Sequence, residues 1–245
     1  SKNKIMKVDI LAFAAHPDDV ELTCSGTVIS HIKQGKKVAI VDLTRGELGT
    51  RGTAETRDQE SIEASKIMGI HARHNLGLAD GFFEHNEASV RLAIEQIRRF
   101  RPEIVLCNSV SDRHPDHGRA SKLISEACFY SGLRKVETTW EGESQEEWRP
   151  KAVYHYIQDR YIKPDFIVDI SDYWDLKMKS IQAYKTQFFN PEDDSEDPVS
   201  PISTKEFLDF TVGRALEYGR QIGVLYGEGF TVERTPGVTS LDKLL

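Results

Sequence analysis

The sequence predicts an α/β protein, a doubly wound and mostly parallel Rossmann-like sheet with a C-terminal extension. Three observations carry that prediction. Short continuous apolar runs alternate with amphipathic stretches through the first half of the chain, as in parallel strands buried on both faces and joined by helices. Gly35, Gly69 and Pro102 close successive helical stretches, where helix-stopping residues belong. Polar, turn-forming clusters sit where the first and fourth apolar runs end.

The first strand is read as Val8–Ala14, followed by one helix from Asp19 to Gln34. Lys37–Leu43 is the second strand and Glu55–Met68 the second helix. Asn75–Leu78 belongs to a short third strand. Val90, Ala93, Ile94, Ile97 and Phe100 form one apolar stripe at helical spacing before Pro102. Glu103–Cys107 is the fourth strand, and a helix runs from about His117 to Tyr130. The second half is less regular. Glu137–Arg149 reads as a surface loop, Val153–Ile157 and Phe166–Ile170 as strands, and Asp172–Gln187 as a helix. Glu192–Asp197 is an acidic run read as a solvated loop. A last helix covers about Thr204–Glu217, and Pro236–Leu245 is a docked or frayed tail. With no internal repeat or linker, residues 1–245 are expected to form one domain, with a core to about residue 135 and the extension from about 136.

The 245 residues are 39% hydrophobic and 29% charged, enough for a sizeable core. A net charge of −7 gives no basic surface for nucleic acid. No apolar run approaches the roughly 20 residues that span a bilayer, and no signal-like region precedes the first strand. Cys24, Cys107 and Cys128 are an odd number in apolar contexts, which suits a reducing compartment. A cytoplasmic protein with no nucleic-acid or membrane partner is expected.

Two motifs carry chemistry. Ala15-His16-Pro17-Asp18-Asp19-Val20-Glu21 follows the first strand, and Asp112-Arg113-His114-Pro115-Asp116-His117-Gly118 follows the fourth. In a doubly wound sheet of order 3-2-1-4 those strands are neighbours, and the crevice at their carboxyl ends is where ligands bind. Singly, an aspartate there is a helix cap and His-Pro a turn. Two histidines and an aspartate converging on one crevice instead favour a metal site of the open, catalytic kind. The glycine-rich Gly46–Gly52 segment lacks the Lys-Ser/Thr of a P-loop and follows the second strand, so it reads as a flexible rim loop.

On these motifs the chain resembles the LmbE-like zinc-dependent deacetylases of N-acetylglucosamine conjugates. Thr44–Thr53 and Glu55-Thr56-Arg57 are similar to that family's loop after the second strand. Pro164-Asp165-Phe166, Asp169–Asp172 and Tyr184–Phe188 resemble the branch that deacetylates N-acetylglucosaminyl malate in bacillithiol biosynthesis. Thr23 and Ser25 stand where that family has glycines, although Gly26 is kept. The resemblance implies one zinc per chain on His16, Asp19 and His117, with Asp18 as general base. It implies that His114, oriented by Asp116 and held protonated, stabilises the oxyanion or protonates the leaving amine. Arg57 and Arg113 become candidates for the malate carboxylates, the alternative for Arg57 being an exposed helix arginine paired with Asp58 or Glu60. Tyr218 is a candidate to reach the site from the extension, and Glu21 to support the positive end of the first helix. A homo-oligomer, as large as a hexamer, is implied as well. The competing substrates are a chitooligosaccharide or an inositol conjugate. The competing classes are a metal-free nucleotide-binding Rossmann domain, which lacks its glycine fingerprint after Ala14, and a non-catalytic carbohydrate-binding module.

Overall fold

The structure, a computed structural model, describes residues 6–244. Its centre is a seven-stranded sheet. The strands are β1 (Ile10–Ala14), β2 (Val38–Thr44), β3 (Ala72–Leu78), β4 (Ile104–Cys107), β7 (Ala152–Tyr156), β8 (Phe166–Asp169) and β9 (Gly227–Val232). They lie in the order β3-β2-β1-β4-β7-β9-β8. β1 lies parallel between β2 and β4, with Ile10 opposite Val38 and Ile104. β1 and β2 are buried along their whole length, which explains the unbroken apolar sequence of β1 and the apolar Val38–Val41 of β2; the buried Asp42 is paired with Arg73 (2.7 Å). One face of the sheet packs Phe13, Val41 and Val105 against α4 (Glu87–Phe100) and α5 (Pro115–Tyr130). The other packs Ile10, Ile40 and Leu106 against α2 (Ser25–Lys33), α3 (Ala54–Met68) and α6 (Trp174–Gln182). The sheet is therefore doubly wound, and its second half continues the same sheet through β7, β9 and β8.

Several boundaries differ from the sequence reading, each for a tertiary reason. The first helix is broken into α1 (Asp19–Thr23) and α2 at Cys24. Glu228 of β9 accepts hydrogen bonds from the Gly26 and Thr27 N–H groups (2.9 and 2.7 Å), filling the open donors at the start of α2. Lys177 of α6 pairs with Glu228 (2.8 Å) and donates to the Leu22 carbonyl at the end of α1 (2.9 Å). Gly26 is kept because a Cβ there would sit 2.7 Å from the Cβ of Ile170. α5 starts at Pro115, two residues before the expected His117, with Pro in the first turn where its missing N–H costs nothing. α6 stops at Gln182, because Tyr184 donates to Glu21 (3.0 Å) and Gln187 to the Arg51 carbonyl (2.8 Å). α7 (Lys205–Ile222) runs past Glu217 to the left-handed Gly223.

β9 has no counterpart in the sequence reading: Gly227-Glu-Gly-Phe-Thr-Val is poor strand sequence. Its glycines let α7 approach, since a Cβ on Gly229 would lie 2.8 Å from the Tyr218 ring. The 137–149 segment carries a small hairpin, β5 (Thr139–Trp140) and β6 (Glu143–Ser144). The acidic run is not simply solvated, because Arg51 pairs with Asp193 and donates to the Asp197 and Pro198 carbonyls (both 3.1 Å). The tail forms one exposed 3-10 turn, Leu241–Leu244, and Leu245 lies outside the described residues. Among the described residues, no helix is long and apolar enough to cross a membrane.

Candidate active site

Because β1 and β4 are adjacent, their two following turns meet. The rings of His16, His114 and His117 have centroids 4.6–5.4 Å apart. Asp19 lies between two of them, with Oδ1 3.2 Å from His117 Nε2 and Oδ2 3.7 Å from His16 Nδ1. The opposite nitrogen of each ring is held by carboxylates. His16 Nε2 donates to Asp80 (3.0 Å) and Asp116 (3.1 Å), and His117 Nδ1 to Asp112 (2.5 Å). Carboxylates behind histidines fix ring orientation and tautomer, as at protein metal sites.

His114 caps α5, its Nδ1 accepting the Asp116 N–H (3.2 Å). This corrects the expected pairing: the Asp116 carboxylate serves His16, the Gly81 N–H (2.8 Å) and Arg119 (2.7 Å), and only its backbone touches His114. An Nδ1 that accepts leaves Nε2 as the ring's donor. Burial and the neighbouring His16 and His117 push the His114 pKa down, against the expected imidazolium.

Asp18 is buried and has φ 119°, a left-handed conformation rare for a non-glycine residue. Its carboxylate pairs with Arg57. Arg57 is thus not an exposed arginine paired with Asp58 or Glu60. It is 6% exposed, and also donates to the Pro17 and Gly46 carbonyls (both 3.2 Å). A malate carboxylate would have to compete with Asp18 for it. Gly46 has φ 65°, and a Cβ there would lie 2.3 Å from the Arg57 guanidinium. With Leu48 N–H donating to Asp80 (2.8 Å) and Asp80 N–H to Glu47 (2.9 Å), the glycine-rich segment is tied to the site, not a loose rim. Arg113 is half-exposed and pairs with Asp159 (2.6 Å). Tyr218 is buried on α7, with the Arg214 guanidinium 5.9 Å from its ring centroid. Glu21 lies in the first turn of α1, at the helix's positive end as expected, and is fully buried there against Arg73 (2.6 Å). Arg57, Arg113 and Tyr218 all line the cavity of about 1010 Å³ that opens onto His16 and Asp19.

Sequence reasoning missed Asp80, Asn108 and Gln158. Asn108 donates to Asp19 (2.9 Å) and accepts the Ala15 N–H (2.9 Å), and Gln158 donates to Asp19 (3.2 Å). All three follow strand ends, β3, β4 and β7, so the rule that located the two histidine motifs, applied to every strand of the sheet, finds them.

The titrations describe an acidic pocket. Burial opposes charge on both ligand-like histidines, yet the carboxylates win. Asp116, Asp19 and Asp80 raise His16 well above its usual value, and Asp19 and Asp112 raise His117 to about 9. Asp19 is held well below the carboxylate range by His117 and His16, against its own burial. Asp18 is pushed up to about 6 by burial, with Arg57 opposing. Two imidazole nitrogens and one carboxylate, each held from behind and surrounded by excess negative charge, fit a divalent cation. His16, His114 and His117 also each offer an atom within 4.8 Å of one another.

Comparison with known proteins agrees. Residues 11–128 match the family described as PIG-L: GlcNAc-PI de-N-acetylase. The uncharacterized deacetylase YaiS of Escherichia coli is 34% identical over 49% of this chain and 67% of its own. The chain belongs to the PIG-L/LmbE-like family of metal-dependent deacetylases. The diacetylchitobiose deacetylase of Thermococcus kodakarensis is 28% identical over 96% of this chain and 85% of that one. The probable N-acetyl-α-D-glucosaminyl L-malate deacetylase 2 of Bacillus subtilis is 26% identical over 74% and 84%. Among solved structures, the conserved protein TT1542 from Thermus thermophilus superposes with TM-score 0.83 at 33% identity, covering 96% of this chain and 98% of that one. The N,N′-diacetylchitobiose deacetylase of Pyrococcus horikoshii gives 0.78 at 25% identity, covering 100% and 91%. As a family member the chain is an enzyme, a hydrolase of amide bonds.

Proposed function

We propose that this enzyme hydrolyses the acetamide of an N-acetylglucosamine conjugate, using one zinc ion held by His16, Asp19 and His117. The observation that carries this reading is the Asp19-bridged histidine pair, with carboxylates behind both rings, next to the buried Asp18. A divalent cation there supplies Lewis acidity to the carbonyl and acidifies a water.

The chain's own groups do the rest. Asp18 takes the proton of the attacking water as its oxygen bonds to the carbonyl carbon. Arg57 fixes the Asp18 carboxylate. His114, its tautomer set by the Asp116 N–H, donates from Nε2 to the developing oxyanion. As the C–N bond breaks, the proton on Asp18 passes to the leaving amine, and acetate and the free amino sugar result. A pKa of about 6 suits a group that must both accept and return a proton near neutrality.

The finer reading takes N-acetylglucosaminyl malate as substrate, with Arg57, Arg113 and Tyr218 as binding residues. The Bacillus subtilis relative supports it, and the engagement of Arg57 by Asp18 weighs against it. The likeness to the two diacetylchitobiose deacetylases supports a saccharide aglycone instead. We also propose one domain over residues 1–245, because one sheet takes strands from both halves, in a cytoplasmic homo-oligomer of up to six copies. Three buried free cysteines support the compartment, and exposed Phe82, Val199 and Leu241 offer apolar contact surface. The test is amine release from a panel of N-acetylglucosaminides by metal-loaded enzyme. Release that is lost on chelation supports the assignment, and no release from any of them removes it.

A further inference from the structure

The cavity runs from the histidine cluster to the inner side of α7. Its volume of about 1010 Å³ stands at the top of the roughly 300–1,000 Å³ usual for small-molecule sites. It has room for a substantial group beyond the sugar whose acetamide is cut. Two properties of the α7 end define that group.

The first is apolar shape. Phe207, Phe210 and Tyr218 recur at helical spacing along the cavity wall. Phe207 is fixed by stacking on Phe188, ring centroids 6.2 Å apart and planes 5° apart. Phe210 is 77% exposed, and a large apolar ring left open beside a cavity marks a binding surface. Ile202 continues the same wall.

The second is charge. Nine acidic side chains line the cavity against five basic ones, and each of the five is engaged. Arg51 pairs with Asp193, Arg57 with Asp18, Arg113 with Asp159 and Lys177 with Glu228. Arg214 donates to the Gln158 and Asp159 carbonyls (2.8 and 2.9 Å). Glu206 and Glu217, both on α7, add negative charge at the same end, whereas Asp209 there is paired with Lys205 (2.9 Å). Of the four ion pairs that these cavity-lining cations make, the half-exposed Arg113–Asp159 pair is the kind of contact that exchanges at little cost. One arginine does not match two carboxylates.

We propose that the α7 face is an aglycone subsite for an uncharged group with a flat apolar face, either a second pyranose ring or an aryl ring. This inference rests on the deacetylase reading above. Phe207 and Phe210 present the rings against which such a face packs. The acidic surround disfavours a dianionic competitor through repulsion, so selectivity comes from rejection as well as attraction.

The experiment measures kcat/KM for amine release by the metal-loaded full chain. The substrates are free N-acetylglucosamine, N,N′-diacetylchitobiose, 4-nitrophenyl N-acetylglucosaminide and N-acetylglucosaminyl malate. At least one neutral conjugate should exceed the malate conjugate by about tenfold or more, and the two neutral arms distinguish saccharide from aryl. Phe210→Ala should lower the preference for the better neutral conjugate over free sugar by about tenfold, the scale of one lost aromatic contact with its buried area. Glu206→Gln with Glu217→Gln should raise malate turnover severalfold. Thermal melting confirms that the variants are folded. A malate conjugate preferred over both neutral ones overturns the subsite and leaves the deacetylase reading standing. So does a Phe210→Ala variant that keeps the wild-type preference, or that changes oligomeric mass and not selectivity. No amine from any of the four substrates overturns the deacetylase reading itself.

Discussion

The two ends of the cavity are built on opposite principles. At the histidine end, the polar side chains from the β1 and β4 turns are held by partners far away in sequence: Asp80 behind His16, Gln158 and Asn108 on Asp19, Arg57 on Asp18. At the α7 end, Phe210 lies open beside the cavity and Glu206 and Glu217 line it from the same helix. Chemistry requires donors fixed to a fraction of an ångström, and second partners supply that. Selection among aglycones requires shape and charge of the right sign, which an exposed helix face provides and which sequence change can retune.

Variants at the rigid end should show the largest effects. His117→Ala or His16→Ala is expected to lose bound metal and to reduce amine release to background, measured by elemental analysis and a fluorescent amine assay. Asp18→Asn should keep its metal and lose roughly 10²–10⁴-fold in kcat, the scale of general acid–base help. Normal turnover by metal-loaded Asp18→Asn would assign the base elsewhere. One step further out, Asp112→Asn should weaken metal affinity about 10- to 100-fold by releasing His117 Nδ1, read by competition with a chelating dye. An unchanged affinity would show that this carboxylate does not hold the ring.

The same end should reveal itself through pH. In metal-free protein His117 has its pKa raised from 6.5 to about 9. The stabilisation of its protonated form is therefore complete below pH 6.5 and is lost as pH rises through about 9. That shift corresponds to about 3 kcal/mol. Denaturant melts of chelated protein should show the fall across that window, and metal-loaded protein, whose ligand ring is neutral throughout, should not. Identical pH profiles for the two forms would contradict a shared site for proton and cation. The smallest effect is expected at the open end. Arg113→Ala removes an exposed ion pair worth about 1 kcal/mol or less, so stability should barely move. Equal losses on charged and neutral substrates would remove Arg113 from aglycone recognition.

What was legible in the sequence follows the same division. β1 and β4 are apolar throughout, and β2 apart from Asp42 and Thr44, because both faces of the sheet are covered, and their order followed from the alternation of strands and helices. His16, Asp18 and Asp19 were legible because they directly follow β1, and His114 and His117 because they lie at the start of the helix that follows β4. What escaped depended on contacts that no local window holds. The break at Cys24 is made by Glu228 and Lys177, about 200 and 150 residues away. β9 was unreadable because its glycines answer to α7, not to strand propensity. Asp80 was missed because nothing in its own surroundings announces the histidine it supports.

The most direct test of the account is metal content and amine release on one preparation, before chelation, after exhaustive chelation and after zinc is restored. About one cation per chain, activity lost on removal and regained on return is the predicted result. Full activity in protein shown to be free of metal would contradict it.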